Sequence, residues 1–215
     1  MNDILPSLSR MLFRGALVLG LAAADAGTGG LIYSIDQRSG SIAFSVNHFG
    51  LFSSEVRFDR FTGRLHLDLI HPQDTSFRFS IDANSLATPL SPTTAMLRGP
   101  DFFDVAHYPL ISYTSTSVAP LGDQHYAISG VLEVRGVARP QPLDARLLTH
   151  QTDKLRHVET AEFAVTGRLK RSDFGIVANQ VFISDAVTLR IHLRVELPAA
   201  ADSEGAGALQ SPPAR

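Results

Sequence analysis

The chain predicts an all-β, antiparallel domain of about eight strands with one short helical interruption. Three observations carry this expectation. Several segments alternate apolar and polar residues with strict period two, the mark of a sheet with one dry and one wet face. Short turn signals join neighbouring segments closely, which favours up-and-down pairing. One stretch, residues 82–104, breaks the alternation and carries the signals of a short helix. Periodicity leaves two architectures open, a sandwich or a barrel.

In chain order, residues 1–26 come first and match a secretory leader. Arg10 and Arg14 precede an apolar run from Gly15 to Ala24, and Ala24-Asp25-Ala26 supplies a small-x-small cleavage pattern. That run is too short for a bilayer core of roughly 30 Å, and no cysteine follows it to carry a lipid. A stable membrane anchor is therefore not expected. The folded body is expected over residues 31–197, beginning with a strand at Tyr33-Ser34-Ile35-Asp36. Ser41 to His48 places Ile42, Phe44, Val46 and His48 on one face. Leu65, Leu67 and Leu69 alternate with Arg64, His66 and Asp68, and Phe77, Phe79 and Ile81 with Ser76, Arg78, Ser80 and Asp82. Between residues 82 and 104 one or two short helices are expected, with Ser91 as N-cap, Pro92 in the first turn and Gly99 as terminator. Further strands follow from Tyr126, Ile128, Leu132 and Val134, from Phe163, Val165 and Leu169, and from Val187, Leu189, Ile191, Leu193 and Val195. A short turn is expected at Ser172-Asp173-Phe174-Gly175. Turn signals are read at Thr62-Gly63, His71-Pro72-Gln73-Asp74, Leu121-Gly122-Asp123 and Arg139-Pro140. Residues 198–215, rich in Ala, Gly, Ser and Pro, have almost no large apolar side chain to bury and are expected to be a disordered tail.

Composition narrows the function. With 19 basic and 21 acidic residues the formal charge is −2, and no basic block exists to attract nucleic acid. The absence of cysteine removes disulfide scaffolds, thiol catalysis and Cys-ligated metal sites. A hydrophobic share of 44% is too high for a disordered chain.

An ordered set of motifs resembles the YceI-like polyisoprenoid-binding proteins of bacteria. It begins with Tyr33-x-Ile35-Asp36 and Ile42-x-Phe44-x-Val46-x-His48-x-Gly50, then Phe58, Phe61, Gly63 and Leu65, then Ile81 to Thr88. Its most specific block is Asp101-Phe102-Phe103-Asp104-Val105 with Tyr108-Pro109 and Ser115-Thr116, followed by Gly130 to Val137 and Arg171 to Ile176. The resemblance covers about residues 33–196. It implies a lipocalin-like, extended antiparallel barrel with a helical lid, periplasmic export, and a long apolar pore for an isoprenoid or similar amphiphile, without a cofactor. The chain departs from the pattern in three places. Ser39-Gly40 stands where members often have His-Ser, and Val56 where they have Gly. Thr93-Thr94-Ala95-Met96-Leu97 replaces a charged Arg-Asp-x-His-Leu run. A mouth without those charges suits a neutral head, such as a quinone or acyl group, better than a diphosphate.

The candidate ligand-binding residues are the inward positions of the strands: Phe44, Val46, Phe58, Leu65, Leu67, Phe77, Phe79, Ile128, Leu132, Phe163, Val165, Leu189 and Ile191. Each is also readable as ordinary core, as most inward apolar side chains are. Met96, Leu97, Phe102 and Phe103 form either a lid or a plug, with Phe174 joining them from the second turn. His48 reads as a hydrogen-bond anchor for a headgroup or as a strand-end histidine bonded to nearby backbone. Asp101 and Arg171 are placed as a pair, or as caps, across one barrel end. His66, His71, His125 and His192 fall on polar faces or turns, and no compact His/Asp cluster is expected, so no metal site is assigned. No nucleophile-elbow or phosphate-loop pattern is present, and no catalytic residue is assigned. The expected partner is an isoprenoid or other long-chain amphiphile, not nucleic acid. The sequence leaves a homodimer open. Two rival functions also remain open. One is an enzyme acting on a lipid-like substrate, which needs two convergent polar groups at the lumen. The other is an interaction module of a membrane redox or envelope-stress system, which predicts a filled barrel and an exposed apolar patch.

Overall fold

The computed structural model describes residues 31–153, 155 and 158–198. The leader and tail expectations fall outside these. Twelve antiparallel strands are present: β1 (Leu31–Asp36), β2 (Gly40–His48), β3 (Phe52–Phe58), β4 (Phe61–Leu67), β5 (Ser76–Asp82), β6 (Leu86–Ala87), β7 (Leu110–Gly122), β8 (His125–Val134), β9 (Val137–Pro140), β10 (Leu143–Asp153), β11 (Val158–Lys170) and β12 (Ile183–Pro198). One helix, α1 (Ser91–Arg98), lies between β6 and β7. The strand order β1-β4-β5-β7-β8-β10-β11-β12-β2-β3-β6 makes one curled sheet, an incompletely closed barrel, with β9 attached to β8. The long strands β11 and β12 pair over their whole length, from Val158↔Pro198 to Lys170↔Ala186. β2 continues the sheet beside the first half of β12, from Ile183↔His48 to Leu193↔Gly40. Beyond β2 the Arg194 amide donates to Ser39 O at 2.6 Å in the β1–β2 turn.

The apolar sides of the alternating strands turn inward together. Ile42, Phe44, Leu65, Leu67, Phe79, Ile81, Ile128, Leu132, Val165 and Val195 are all buried. Three strands escape the alternation. β3 reads FSSEVRF, in which Ser54 takes the first inward position. In β7 the register shifts between Ser115 and Ser117, so Ile111 and Tyr113 point inward before the shift and Val118 after it. β10 shifts likewise between Leu147 and Thr149. Such a bulge resets the side-chain parity and erases a period-two pattern. These strands, with the short β6 and β9, raise the count above the expected eight.

Three local expectations need correction. The Arg139-Pro140 turn signal falls inside β9, where the two residues pair with Leu132 and Val131 of β8. Thr62-Gly63 is not a turn but lies within β4, paired with β1 and β5. Gly63 is required there because a Cβ would run into the Phe79 ring. The N-cap of α1 is Leu90 and not Ser91, with no side-chain cap bond, though Pro92 does occupy the first turn and Gly99 the C-cap. Thr94 Oγ1 holds the approach to the helix by accepting the Thr88 amide at 3.1 Å. After Gly99 the Phe103 amide donates to Leu97 O and the Val105 amide to Arg98 O, which folds residues 102–105 back under the helix.

A corner at Asp59-Arg60 leads from β3 into β4. The Arg60 amide donates to Ser85 Oγ at 3.0 Å, and the Arg60 guanidinium clamps Asp82 at 2.7 Å. Asp82 also caps the Ala83–Ser85 turn by accepting the Asn84 amide at 2.8 Å. This corner therefore ties the ends of three elements by satisfied polar groups.

Candidate functional site

The barrel interior is not filled. A cavity of about 460 Å³ runs within it, inside the range of about 300–1,000 Å³ typical of small-molecule sites. Its middle is aromatic and aliphatic. Phe103 packs on Phe44 at 5.7 Å and on Phe58 at 5.9 Å between ring centroids. Phe77 stacks on Tyr113 at 5.7 Å and meets Phe79 edge-on at 5.6 Å.

Every residue expected to face a ligand stands on this lining. Phe44, Val46 and His48 come from β2, Phe58 from β3, Leu65 and Leu67 from β4, and Phe77 and Phe79 from β5. Ile128 and Leu132 come from β8, Phe163 and Val165 from β11, and Leu189 and Ile191 from β12. Met96, Leu97, Phe102, Phe103 and Phe174 complete the set. The strands that escaped the alternation add Val56, Tyr113, Val118, Leu143 and Ala145. Val118 is out of phase with Tyr113 across the β7 shift and Ser54 masks Val56, whereas Leu143 and Ala145 alternate with Asp144 and Arg146 and carry the same period-two signal as the other strands. The residues expected as lid or plug separate by burial. Phe102 is buried and Phe103 half-buried, whereas α1 has no buried residue. Thr93, Met96 and Leu97 face the cavity from it.

The polar groups on the lining divide into committed and uncommitted ones. Arg171 is 5% exposed and gives all its hydrogen bonds to backbone. Its Nε donates to Ser184 O at 3.1 Å, its Nη1 to Ile176 O at 3.1 Å and Ala178 O at 2.7 Å, and its Nη2 to Ile183 O at 3.1 Å. Burial pulls its pKa below the ordinary arginine value, against the opposing charge of Asp185. The expected Asp101–Arg171 pairing is therefore wrong. Four carbonyls of the loop before and at the start of β12 take the guanidinium, and Asp185 is its charged neighbour. Tyr113 donates to Gln141 O at 3.0 Å, and burial pushes its pKa up to about 12.

His48 differs. Its Nε2 is buried and has no hydrogen-bond partner, so the expectation of a histidine bonded to nearby backbone fails for that atom. Its ring stacks on Phe52 at 4.9 Å and 10°, which fixes its plane at the cavity wall. An imidazole Nε2 can donate or accept according to tautomer. Among the described residues the other buried, unpartnered side-chain atom is the Tyr33 hydroxyl, whose pKa is raised by burial and by Glu159.

The expectation of no compact His/carboxylate cluster also needs correction. The β4–β5 turn brings ligand atoms of Asp68, His71 and Asp74 within 4.8 Å of one another. Turn chemistry accounts for this: Asp68 accepts the amides of His71 at 2.7 Å and Ile70 at 2.9 Å, with His71 Nδ1 3.6 Å from its carboxylate. These bonds, the His71 amide above all, hold its carboxyl below the usual range.

The pattern of the YceI-like domain matches residues 33–195. The chain belongs to the YceI-like family. Protein YceI of Salmonella arizonae and that of Salmonella paratyphi B are each 31% identical to it over 161 residues, 74% of this chain and 83% of theirs. The fold is shared with several solved structures. BcnA of Burkholderia cenocepacia superposes with a TM-score of 0.68 at 21% identity, over 75% of this chain and 99% of that one. A Campylobacter jejuni YceI protein gives 0.64 at 21%, over 70% and 89%. A polyisoprenoid binding domain from Saccharophagus degradans, implicated in plant cell wall breakdown, gives 0.54 at 17%, over 79% and 99%. This chain's run from Thr93 to Leu97 supplies a hydroxyl and two apolar side chains to the cavity. Among the described residues no helix is long and apolar enough to cross a membrane.

Proposed function

We propose that this YceI-like protein is an exported carrier that holds an isoprenoid-like or other long-chain amphiphile in its barrel, tail inward. The observation that carries this is the unfilled cavity of about 460 Å³ with an almost wholly apolar wall. Burial of each methylene contributes about 0.8 kcal/mol, so a five-carbon unit contributes about 4 kcal/mol before ordering costs. Two or three such units give tight binding without any strong polar contact. His48 Nε2 meets the polar head through one hydrogen bond, and the uncharged run Thr93–Leu97 of α1 favours a neutral head such as a carbonyl or hydroxyl. The name of the Saccharophagus neighbour points to the same ligand class. The polar groups Arg171 and Tyr113 are engaged in structural bonds, which supports binding over turnover. The cavity also argues against a purely structural interaction module, for which a filled barrel is expected. Export to the periplasm follows from the leader pattern at residues 1–26.

The test is organic extraction of protein purified from its native host, followed by mass spectrometry. A long-chain amphiphile in near one-to-one ratio is expected, from protein found in the osmotic-shock fraction with its mass lowered by the leader. A lipid-free protein that also takes up no added isoprenoid contradicts the proposal.

A further inference from the structure

Two exposed, apolar loops border the cavity. The β2–β3 connection, residues 47–54, and the segment 176–183 leading into β12 together contain no Asp, Glu, Lys or Arg. They touch each other: the Phe49 amide donates to Phe182 O at 3.2 Å, and their rings lie 5.3 Å apart. Leu51 and Val181 are 84% and 85% exposed, and Phe49, Phe52 and Phe182 are each more than half exposed. A continuous apolar patch of this kind on a small protein marks a contact surface.

The backbone of the first loop makes the same point independently. Phe49 and Gly50 have φ of +52° and +70°, and the Leu51 amide donates to His48 O at 2.9 Å, forming a tight turn with two left-handed central residues in a three-residue hairpin loop. Such a turn favours Asn or Gly at its first central position, and a bulky aromatic there is strained. At 62% exposure Phe49 recovers little of that strain by burial in the fold. Its phenyl group is thus unexplained by folding alone.

The same two loops supply His48, Ile176 and Ile183 to the cavity wall. We infer that this rim docks the protein on a lipid bilayer, with the mouth facing the interface from which the cavity loads or unloads. The inference rests on the proposed amphiphile carrier. A bilayer fits better than a protein partner on two counts. The rim presents no charged group to desolvate or to be read by a complementary surface. It also surrounds the mouth of a cavity whose proposed ligand is far more soluble in a bilayer than in water, so docking gives a path that avoids water. With no basic cluster and no lipid anchor on these loops, attachment is shallow and reversible.

The experiment compares wild type, the L51D/F182D double variant and, as a control at the opposite end, I70D in the exposed β4–β5 turn. Three readouts are taken: flotation with phosphatidylcholine vesicles, the rate of retinol uptake from those vesicles, and equilibrium retinol binding from dilute ethanol. All substituted side chains are exposed, and circular dichroism and melting confirm folding. Wild type and I70D are expected to float reversibly. The double variant is expected to lose at least tenfold in vesicle-bound fraction and in uptake rate, with retinol affinity unchanged within twofold. A wild type that ignores vesicles, or a double variant that matches it, overturns the inference. So does a wild-type dimer that L51D/F182D dissolves without any effect of vesicles, which assigns the rim to a second copy. If flotation follows the expected pattern but no variant binds retinol from either source, docking stands and the carrier proposal fails.

Discussion

Arg171 and His48 sit one strand apart on the same cavity wall. Ile183 joins them, since its backbone pairs with His48 and its carbonyl accepts from Arg171. Arg171 has four carbonyl partners, while the buried Nε2 of His48 has none. A buried polar group that is fully satisfied holds the fold. One left unsatisfied beside a cavity has bonding capacity to spare for a ligand. The difference teaches which polar residue to assign to architecture and which to recognition, although both are polar outliers in an apolar lining.

The largest expected effect tests the architectural half. Replacing Arg171 with Met leaves four carbonyls without their donor, and a loss of about 3–5 kcal/mol in unfolding free energy is expected, read from urea denaturation. Retinol affinity of the folded fraction should change little. A stable R171M protein with weakened retinol binding would reverse the two roles. Next in size, Ala145→Phe puts a ring into the cavity from β10, where Ala145 is 5% exposed. At least a tenfold loss of retinol affinity is expected by fluorescence titration, with a stability change of about 1–3 kcal/mol. His48→Leu removes the spare hydrogen bond, worth about 1 kcal/mol, so retinol affinity should fall about fivefold while stability is unchanged or slightly raised. A hydrocarbon of the same length lacking the hydroxyl should bind both proteins equally in competition.

The smallest effect concerns Asp185, beside Arg171. Burial opposes its ionisation, but the Ser172 hydroxyl and amide, at 2.8 and 2.9 Å, together with Arg171 and Lys170, hold its pKa below the ordinary value. A depressed carboxyl stabilises the fold above about pH 4, and the contribution disappears as pH falls through the depressed value. Asp185→Asn should therefore lower the urea midpoint at pH 7 and flatten its decline on acidification. Asp36, Asp68 and Asp82 are depressed too, so part of the decline should persist.

The sheet class, the inward faces of β2, β4, β5, β8, β11 and β12 and the 82–104 interruption were all legible, because one wet and one dry face impose period two. β3, β7 and β10 were not. Ser54 takes an inward place and masks Val56, the shift at Ser115/Ser117 puts Val118 out of phase with Tyr113, and the shift at Leu147/Thr149 cuts the alternation of Leu143, Ala145 and Leu147 to five residues of an eleven-residue strand. Thr62-Gly63 carried a turn signal because glycine marks both tight turns and close approach. Only the position of the Phe79 ring decides between them. For the site, alternation placed His48 beside Phe44 and Val46. Whether its Nε2 had a partner depended on the fold around β12, as did the carbonyl cage of Arg171. Short-range spacing carries neither.

The central claim is that a ligand is held by its tail, with His48 adding one head contact. Calorimetric titration with isoprenoid alcohols of increasing length, on wild type and His48→Leu, tests it most directly. Affinity should rise with each added unit until the cavity is full and then level off, with the substitution lowering every value by the same factor. Affinity independent of chain length, or lost entirely in His48→Leu, would contradict it.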